Sequence, residues 1–297
     1  MQTQKQIKDL RKILRAARSQ GKSIALVPTM GNLHEGHLQL IRQARDRYDF
    51  IVCSIFVNPL QFGENEDLSA YPRTLDADRE RLHSENCDCL FLPSVNEIYG
   101  DGLELQTSIN VPGLTENFCG ASRPGHFEGV ATVVTKLFNI VQPDAAFFGL
   151  KDYQQFLVIR KLTHDLALDI AIHGIETHRE ESGLAMSSRN SYLSEQHKEQ
   201  AANLYRCLCS CAKQIQQGDT QFQQLEKAAK KNLEQASLEP DYFQVCDANT
   251  LQPPSTDTRQ LAILGAVFVG KSRLIDNIRF QRPLTQARKF SIRLVPC

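Results

Sequence analysis

The stretch that decides the fold of this chain runs Val27-Pro28-Thr29-Met30-Gly31-Asn32-Leu33-His34-Glu35-Gly36-His37. It follows a short apolar run at residues 24–27 and precedes a segment with Leu38, Ile41 and Ala44 at helical spacing. The pattern predicts a strand, a glycine-containing turn and a helix N-terminus. In α/β proteins this is the place where free backbone N–H groups meet an anion.

Two histidines in this stretch, His34 and His37, are three residues apart and are expected about one turn apart on the same side of the helix. Neutral imidazoles donate hydrogen bonds and protonated ones also carry charge, so the pair suits a phosphate that becomes more negative during a reaction. A zinc site is disfavoured, because the H-E-x-x-H pattern places its histidines four residues apart. The stretch resembles the HxGH signature of nucleotidylyl-transferring enzymes with a Rossmann-like fold.

The next apolar run, residues 50–57, is nearly continuous, which is typical of a parallel strand buried on both faces. Further strands are predicted at 87–92, 144–148 and 169–175, and helices at 2–20, 76–86, 127–141 and from 153 onward. A less regular region, 94–125, contains a possible strand at 105–111. Strands alternating with helices favour an α/β fold with a Rossmann-like, doubly wound, mostly parallel sheet.

After Thr177 the pattern changes. Residues 180–190 are polar and show neither helical nor strand periodicity. Two helices follow (195–217 and 220–236), and then strands near 241–246 and 261–269. We therefore predict a catalytic domain at 1–176 and a second, smaller α+β C-terminal domain at 177–297.

Composition disfavours several classes of function. Lys+Arg and Asp+Glu both number 34, so the chain lacks the basic excess of proteins that bind long nucleic acid. It contains no stretch of about 20 apolar residues and its N-terminus has no apolar signal core, so we expect no membrane partner and a cytoplasmic location.

The nine cysteines are an odd number, which does not suit a closed disulfide framework, so we expect reduced thiols. Cys207, Cys209 and Cys211 fall on a predicted helix. A spacing of two residues turns their side chains to nearly opposite sides, so they cannot converge on one metal ion. We predict no protein-held metal.

Four polar loops, 28–37, 58–63, 148–155 and 177–190, follow predicted strands and should meet at the carboxyl edge of the sheet, where ligands bind. Besides the histidines, they supply Asn58, Gln61, Lys151, Asp152, Gln155, Ser187, Ser188 and Arg189. Cations, hydroxyls and imidazoles suit a polyphosphate, and the amides suit a small polar substrate. Taken singly, a lysine or arginine such as Lys151 or Arg189 is more often a solvated surface charge, and Asn58 and Gln61 are also explained as turn caps. The interpretation therefore depends on all four loops together. No nucleophile and base are paired, which favours direct displacement at phosphorus.

Five motifs in register carry a resemblance: Pro28-Thr29-Met30-Gly31 with His34-Glu35-Gly36-His37, Ser54-Ile55-Phe56-Val57-Asn58-Pro59-Leu60-Gln61-Phe62, Tyr71-Pro72-Arg73-Thr74, Lys151-Asp152-Tyr153-Gln154-Gln155, and Gly183-Leu184-Ala185-Met186-Ser187-Ser188-Arg189-Asn190. Leu274-Ile275-Asp276-Asn277 adds to them. The chain resembles the pantothenate synthetase (pantoate–β-alanine ligase) family.

The resemblance implies a two-step ligation. Pantoate attacks the α-phosphorus of ATP to give pantoyl adenylate and pyrophosphate, and β-alanine then displaces AMP. It implies ATP as substrate with Mg²⁺ carried by the phosphates, no tightly bound cofactor, and a homodimer.

The resemblance also implies residue roles. The catalytic residues would be His37, as proton donor, together with His34, Lys151 and Arg189. ATP would bind to Met30, Gly31, Asn32, Leu33, His34, Glu35, Gly36, His37, Gly149, Leu150, Lys151, Asp152, His178 (through its backbone), Met186, Ser187, Ser188 and Arg189. Pantoate would bind to Gln61, Gln155 and Asn58, and β-alanine to Gln61.

The segment Met186-Ser187-Ser188-Arg189 resembles the KMSKS element of related synthetases. It lies just after the predicted domain boundary, so we expect the second domain to act as a lid over the triphosphate. One position departs from the family: Leu150 stands where a glutamate is usual beside the lysine.

Two other functions remain open at this point. A nucleotidylyltransferase, or a synthetase for another acid, would share the histidines but not the paired Gln61 and Gln155. A nucleotide-sensing protein without turnover would be favoured by Leu150 alone.

Overall fold

The computed structural model describes residues 1–63, 66–100, 102–104 and 106–283. Its larger sheet is entirely parallel and consists of β1 (Gln2–Gln4), β2 (Ile24–Thr29), β3 (Phe50–Ile55), β4 (Cys89–Phe91), β5 (Ala145–Gly149) and β6 (Ala171–Ile175). The strand order is β1-β4-β3-β2-β5-β6. The chain reverses its direction of growth between β2 and β5, which creates a crevice at their carboxyl ends.

Helices cover both faces of this sheet: α1 (Ile7–Ser19), α2 (Glu35–Arg45), α3 (Leu75–Ser84), α4 (Val95–Tyr99), α5 (Cys119–Ser122), α6 (His126–Val141) and α7 (Tyr153–Asp165). In β2, Ala25 and Val27 belong to the core that contains Ile41 of α2, whereas Leu26 belongs to the core that contains Val130 of α6. Because successive strand residues point to opposite faces, an apolar run is buried on both sides. The predicted α/β, Rossmann-like fold class is confirmed.

The C-terminal part contains α8 (Glu195–Gln216), α9 (Phe222–Gln235) and an antiparallel sheet of β7 (Glu239–Asp247), β8 (Gln260–Val269) and β9 (Ser272–Gln281). This sheet is also buried on both faces. Ile263 of β8 belongs to the core formed with α8 and α9, whereas its neighbour Leu264 belongs to the core of the parallel-sheet unit. A smaller α+β unit is therefore present, and the boundary at residue 176 stays a prediction.

Two predictions differ from the structure. The predicted helix 2–20 begins only at Ile7, because residues 2–4 form the edge strand β1 against β4. The strand proposed at 105–111 is wrong, since residues 106–111 contain none; residue 105 lies outside the described residues. Strand β9 was not predicted.

The basic C-terminal segment 282–297 lies outside the described residues from 284 onward. Within the parts of the chain that are described, no helix combines the length and apolar character needed to cross a membrane.

Candidate active site

A cavity of about 230 Å³ lies at the carboxyl edge of the parallel sheet and is lined by residues of all four predicted loops. The predicted residues around it are Met30, His34, Gly36, His37, Asn58, Gln61, Gly149, Lys151, Asp152, Gln155, His178, Met186, Ser187, Ser188 and Arg189. Among the described residues, the remaining predicted ones (Gly31, Asn32, Leu33, Glu35 and Leu150) lie outside this lining. Their binding roles remain predictions.

The turn before α2 is shaped by a buried carboxylate. Asp78 of α3 accepts hydrogen bonds from the backbone N–H of Asn32 at 2.9 Å and of Leu33 at 2.8 Å. Gly31 has φ +84°, and a Cβ there would lie 3.1 Å from Ile55 Cγ2, so this position requires glycine. The expectation of free N–H groups is therefore wrong at Asn32 and Leu33, where an internal anion already occupies them.

The two histidines form a close pair at the start of α2. Their ring centroids are 4.1 Å apart, and the backbone N–H of His34 donates to His37 Nδ1 at 3.3 Å, which leaves the ring proton of His37 on Nε2. Burial is the main cause that lowers the pKa of His34 to about 2 and that of His37 to about 4, and Lys151 lowers both further. Nδ1 of His34 has no hydrogen-bond partner among the residues described.

A chain of hydrogen bonds fixes the orientation of the Gln61 amide. Tyr99 Oη donates to Asn58 Oδ1 at 2.7 Å, and Asn58 Nδ2 donates to Gln61 Oε1 at 3.2 Å. The Gln61 oxygen accepts that bond, and Gln61 Nε2 donates one proton to Met30 Sδ at 3.2 Å, so its second proton is left to donate into the cavity. A cavity-facing donor of this kind suits a carboxylate or a hydroxyl group.

Gly129 allows α6 to approach the turn that carries Gln61, because a Cβ at residue 129 would lie 2.2 Å from the Leu60 carbonyl oxygen. The cavity also has apolar lining residues, here called the apolar wall, that sequence reasoning missed. The apolar wall consists of Leu40, Phe56, Phe62, Val130, Val133, Val134, Leu137 and Phe148. A cavity that combines amide donors with apolar groups suits a small acid with a branched carbon skeleton.

Lys151 lies in a short 3-10 turn, Leu150–Asp152, between β5 and α7. Its Nζ is 3.6 Å from Oδ1 of Asp152. Leu150 points the other way: it is buried in the core, where a Cβ on Gly174 would come within 2.5 Å of it. Leu150, where the family that the sequence resembles usually has a glutamate, therefore packs against the core side of this turn and not in the cavity.

Arg189 enters the cavity from the C-terminal unit and is held by a carboxylate of the first unit. Its Nε and Nη2 donate to Asp67 at 3.1 and 2.8 Å. Ser188 Oγ donates to the Asn32 carbonyl at 3.2 Å, and Asn32 Nδ2 donates back to the Ser188 carbonyl at 3.1 Å. The segment is thus already in contact with the turn before α2.

Arg123 and His126 are among the polar cavity residues that were missed. Arg123 donates to both carboxylate oxygens of Glu66, at 2.6 and 2.5 Å. His126 Nδ1 donates to the Gln61 carbonyl at 2.8 Å, and its Nε2 accepts from Arg123 at 3.0 Å. Burial lowers the pKa of His126 to about 4. The sequence signal was a Gly/Pro-rich loop ending just before α6.

The thiols within the described ranges are unpaired: Cys53, Cys87, Cys89, Cys119, Cys207, Cys209, Cys211 and Cys246. Burial raises the pKa of Cys87 to about 11 and that of Cys89 to about 12. Across residues 1–283, apart from the four undescribed positions, no group of three or more His, Cys, Asp or Glu side chains is arranged to hold a metal ion.

Comparisons with known proteins agree over most of the chain. The family described as Pantoate-beta-alanine ligase matches residues 2–279. A pantothenate synthetase of Pseudomonas fluorescens is 55% identical over 278 residues, which cover 94% of this chain and 97% of that protein.

Two solved structures are similar to this one. Pantothenate synthetase from Thermus thermophilus has a TM-score of 0.88 and 42% identity, covering 94% of this chain and 99% of that one. Pantoate-β-alanine ligase from Francisella tularensis, complexed with β-γ ATP and β-alanine, has a TM-score of 0.79 and 34% identity, covering 94% and 97%.

Proposed function

This chain belongs to the pantoate–β-alanine ligase family, and we propose that it makes pantothenate through a pantoyl-adenylate intermediate. In the first step, a carboxylate oxygen of pantoate bonds to the α-phosphorus of ATP as the bond to pyrophosphate breaks. In the second, the amine of β-alanine bonds to the acyl carbon, AMP leaves and the amine loses a proton. The observation that carries the proposal is one cavity that holds His34, His37 and Lys151 together with Gln61 and Gln155.

Pyrophosphate gains negative charge as it leaves, so the first step is promoted by groups that bind that charge. Lys151 supplies a cation, and His34 and His37 supply neutral N–H donors inside a partly desolvated cavity, where electrostatic interactions are stronger than in water. The resemblance implies a proton donor at His37, and for the neutral ring of this structure we propose that Nε2–H donates a hydrogen bond to the leaving pyrophosphate. Mg²⁺ is proposed to arrive on the ATP phosphates and to add to this stabilisation.

The acid site is proposed to lie between the Gln61 amide and the apolar wall, with Gln155 as its second amide and Asn58 as support. The pantoate carboxylate and hydroxyls would accept from the amide donors while its methyl groups contact the apolar side chains of α6. We propose that β-alanine enters beside Gln61.

The nucleotide is proposed to lie along the other side, with Asp152 near the ribose, the His178 backbone at the base and Ser187 to Arg189 at the phosphates. Arg189 must then exchange the Asp67 carboxylate for a phosphate oxygen. The homodimer and the cytoplasmic location remain predictions.

The test is AMP formation from ATP, pantoate and β-alanine, omitting each in turn, together with ATP–pyrophosphate exchange. We expect AMP only with all three substrates, and exchange that requires pantoate but not β-alanine. Exchange that does not need pantoate would favour a nucleotidylyltransferase or a synthetase for another acid. ATP binding without turnover would favour a nucleotide sensor.

The Lys151→Ala and His37→Ala variants test the catalytic roles. Each removes a group that stabilises the leaving charge, so we expect the exchange rate to fall by ~10²–10³ with folding intact. Lys161→Ala is the matched control, because Lys161 is a half-buried helix residue whose ion pair is with Asp165. A variant that keeps near wild-type turnover would refute the role of its residue.

A further inference from the structure

Strand β9 carries two adjacent polar residues, Asp276 and Asn277, each only 5% exposed. Their side chains point to opposite faces of the strand. Leu274, two residues before Asp276, packs in the core of α8 and α9, and Ile275, two before Asn277, packs against the parallel-sheet unit. Because a buried polar group is costly unless it is hydrogen-bonded, the partners of these two side chains show what each one holds.

Asn277 holds the turn that carries Lys151. Its Nδ2 donates to the Leu150 carbonyl at 2.8 Å and to the Lys151 carbonyl at 2.9 Å. Both protons of the amide are therefore used on consecutive backbone oxygens of the 3-10 turn. Loss of the amide would leave two carbonyls of this turn without these bonds, and the turn would be free to shift.

Asp276 holds the segment that leads to Arg189. Its carboxylate accepts two bonds from Arg179, at 2.6 and 3.0 Å, and Arg179 stacks 3.6 Å from the ring centre of Tyr205. Arg179 also pairs with Ala185 as an isolated bridge, which closes the hairpin just before Met186. A second, small cavity is lined by both Asp276 and Lys151, so the two held segments lie close together.

We infer that Asp276 and Asn277 act as positioning residues that fix, from one strand, the Lys151 turn relative to the Ser187–Arg189 segment. The inference rests on the proposed function, since it concerns the groups that receive the leaving pyrophosphate. The C-terminal sheet would thus contribute to the reaction by placing the Lys151 turn and the Ser187–Arg189 segment, without contacting the substrate itself. The misplacement of a reacting group by about 1 Å can cost ~10² in rate.

The test is a double-mutant cycle with Asn277→Leu, a change of similar size that removes both donors. We expect pantoate-dependent exchange to fall about 10- to 100-fold in the otherwise wild-type enzyme. In the Lys151→Ala background the same change should cost less than about twofold, because the group that Asn277 positions is gone.

Tyr153→Phe is the matched control. Tyr153 Oη donates to the Ala248 carbonyl at 2.7 Å, a buried bond across the same contact between the two units that involves neither Lys151 nor Arg189. Its loss should leave exchange within about twofold of wild type. Thermal unfolding of every variant separates activity from folding.

A second readout does not need turnover: calorimetric affinity for a non-hydrolysable ATP analogue should weaken with Asn277→Leu only while Lys151 is present. An equal loss in both backgrounds, in either readout, would overturn the inference and make Asn277 merely structural. Absence of exchange in the wild type would instead overturn the proposed function and leave the binding cycle to decide the inference. If Asn277→Leu does not fold, Asp276→Asn against Arg189→Ala serves as the same cycle, with the same outcomes.

Discussion

At the residue scale, burial disfavours the charged form of three imidazoles in the site. His34, His37 and His126 are all at least partly buried, and burial is the main cause that lowers each pKa. A neutral ring can lie beside Lys151 or Arg123 without repulsion and still donate a hydrogen bond. At low pH this arrangement lowers the free energy of unfolding, because the histidines of the unfolded chain bind protons that the folded protein does not bind.

The stability of the protein should therefore fall on acidification. Below pH 6.5 an unfolded histidine is protonated, while His126 stays neutral down to about pH 4. Since the unfolded state then binds more protons, the free energy of unfolding decreases as the pH falls, by about 3 kcal/mol for His126 over this window. Urea unfolding of wild type and His126→Gln between pH 7 and pH 4 measures this contribution.

His126→Gln keeps hydrogen-bonding groups but cannot titrate, so its unfolding free energy should depend less steeply on pH than that of the wild type. His83→Gln is the control, because His83 is an exposed residue of α3. If the free energies of unfolding of wild type and His126→Gln change with pH in parallel, folding does not lower the pKa of His126.

The sequence predicted the cavity location of residues that lie in a recognisable local pattern. His34, His37 and Lys151 come shortly after predicted strands, Arg189 lies in an irregular polar loop, and all four line the cavity. Asp78 was missed, because a helical aspartate looks solvent-exposed until the fold brings it to the N–H groups of Asn32 and Leu33.

At the scale of elements, the start of α2 depends on a residue without a side chain. A Cβ on Gly36 would lie 3.1 Å from both Cε1 and Nδ1 of the His34 ring and 3.6 Å from the Cβ of His178. The ring covers the glycine, and the glycine therefore sets the position of the ring in the cavity.

Gly36→Ala should separate stability from activity. Alanine is the better helix former by about 1 kcal/mol, so thermal stability should hold or rise. The displaced His34 ring should lower the rate of pantoate-dependent ATP–pyrophosphate exchange about 10-fold. Gly102→Ala is the control, since no atom lies within 4 Å of the position of its Cβ. If Gly36→Ala keeps the wild-type rate of ATP–pyrophosphate exchange, the position of the His34 ring does not matter for the reaction.

Helices and strands with a clear apolar periodicity were predicted well. Strands that form because a neighbouring strand offers backbone hydrogen bonds were not. The strand β1 contains only Gln2, Thr3 and Gln4, and it exists because β4 offers a backbone edge. In β9, Asp276 and Asn277 interrupt the apolar pattern, so the strand is not evident until their buried partners are known. The expected strand at 105–111 had periodicity but, over the described residues 106–111, gained no neighbouring strand.

At the scale of the whole molecule, the two units share a core. Leu264 and Ala266 of β8 are buried with residues of the parallel-sheet unit. A rotation of the entire C-terminal unit would expose this apolar surface to water, at about 25 cal/mol per Å². We therefore expect any closure over ATP to be confined to the segment that crosses to the first unit, which contacts it through Arg189, Ser188 and Tyr192.

Hydrogen exchange with and without ATP tests this form of the lid. Arg189 should exchange Asp67 for a phosphate oxygen, and the amides of residues 180–190 should become more protected while those of β8 do not change. The Arg189→Ala variant should lose this protection, because its segment no longer has a charge to bring to the triphosphate. Unchanged exchange at residues 180–190 would count against a lid, and slower exchange throughout β8 would mean that the whole unit moves.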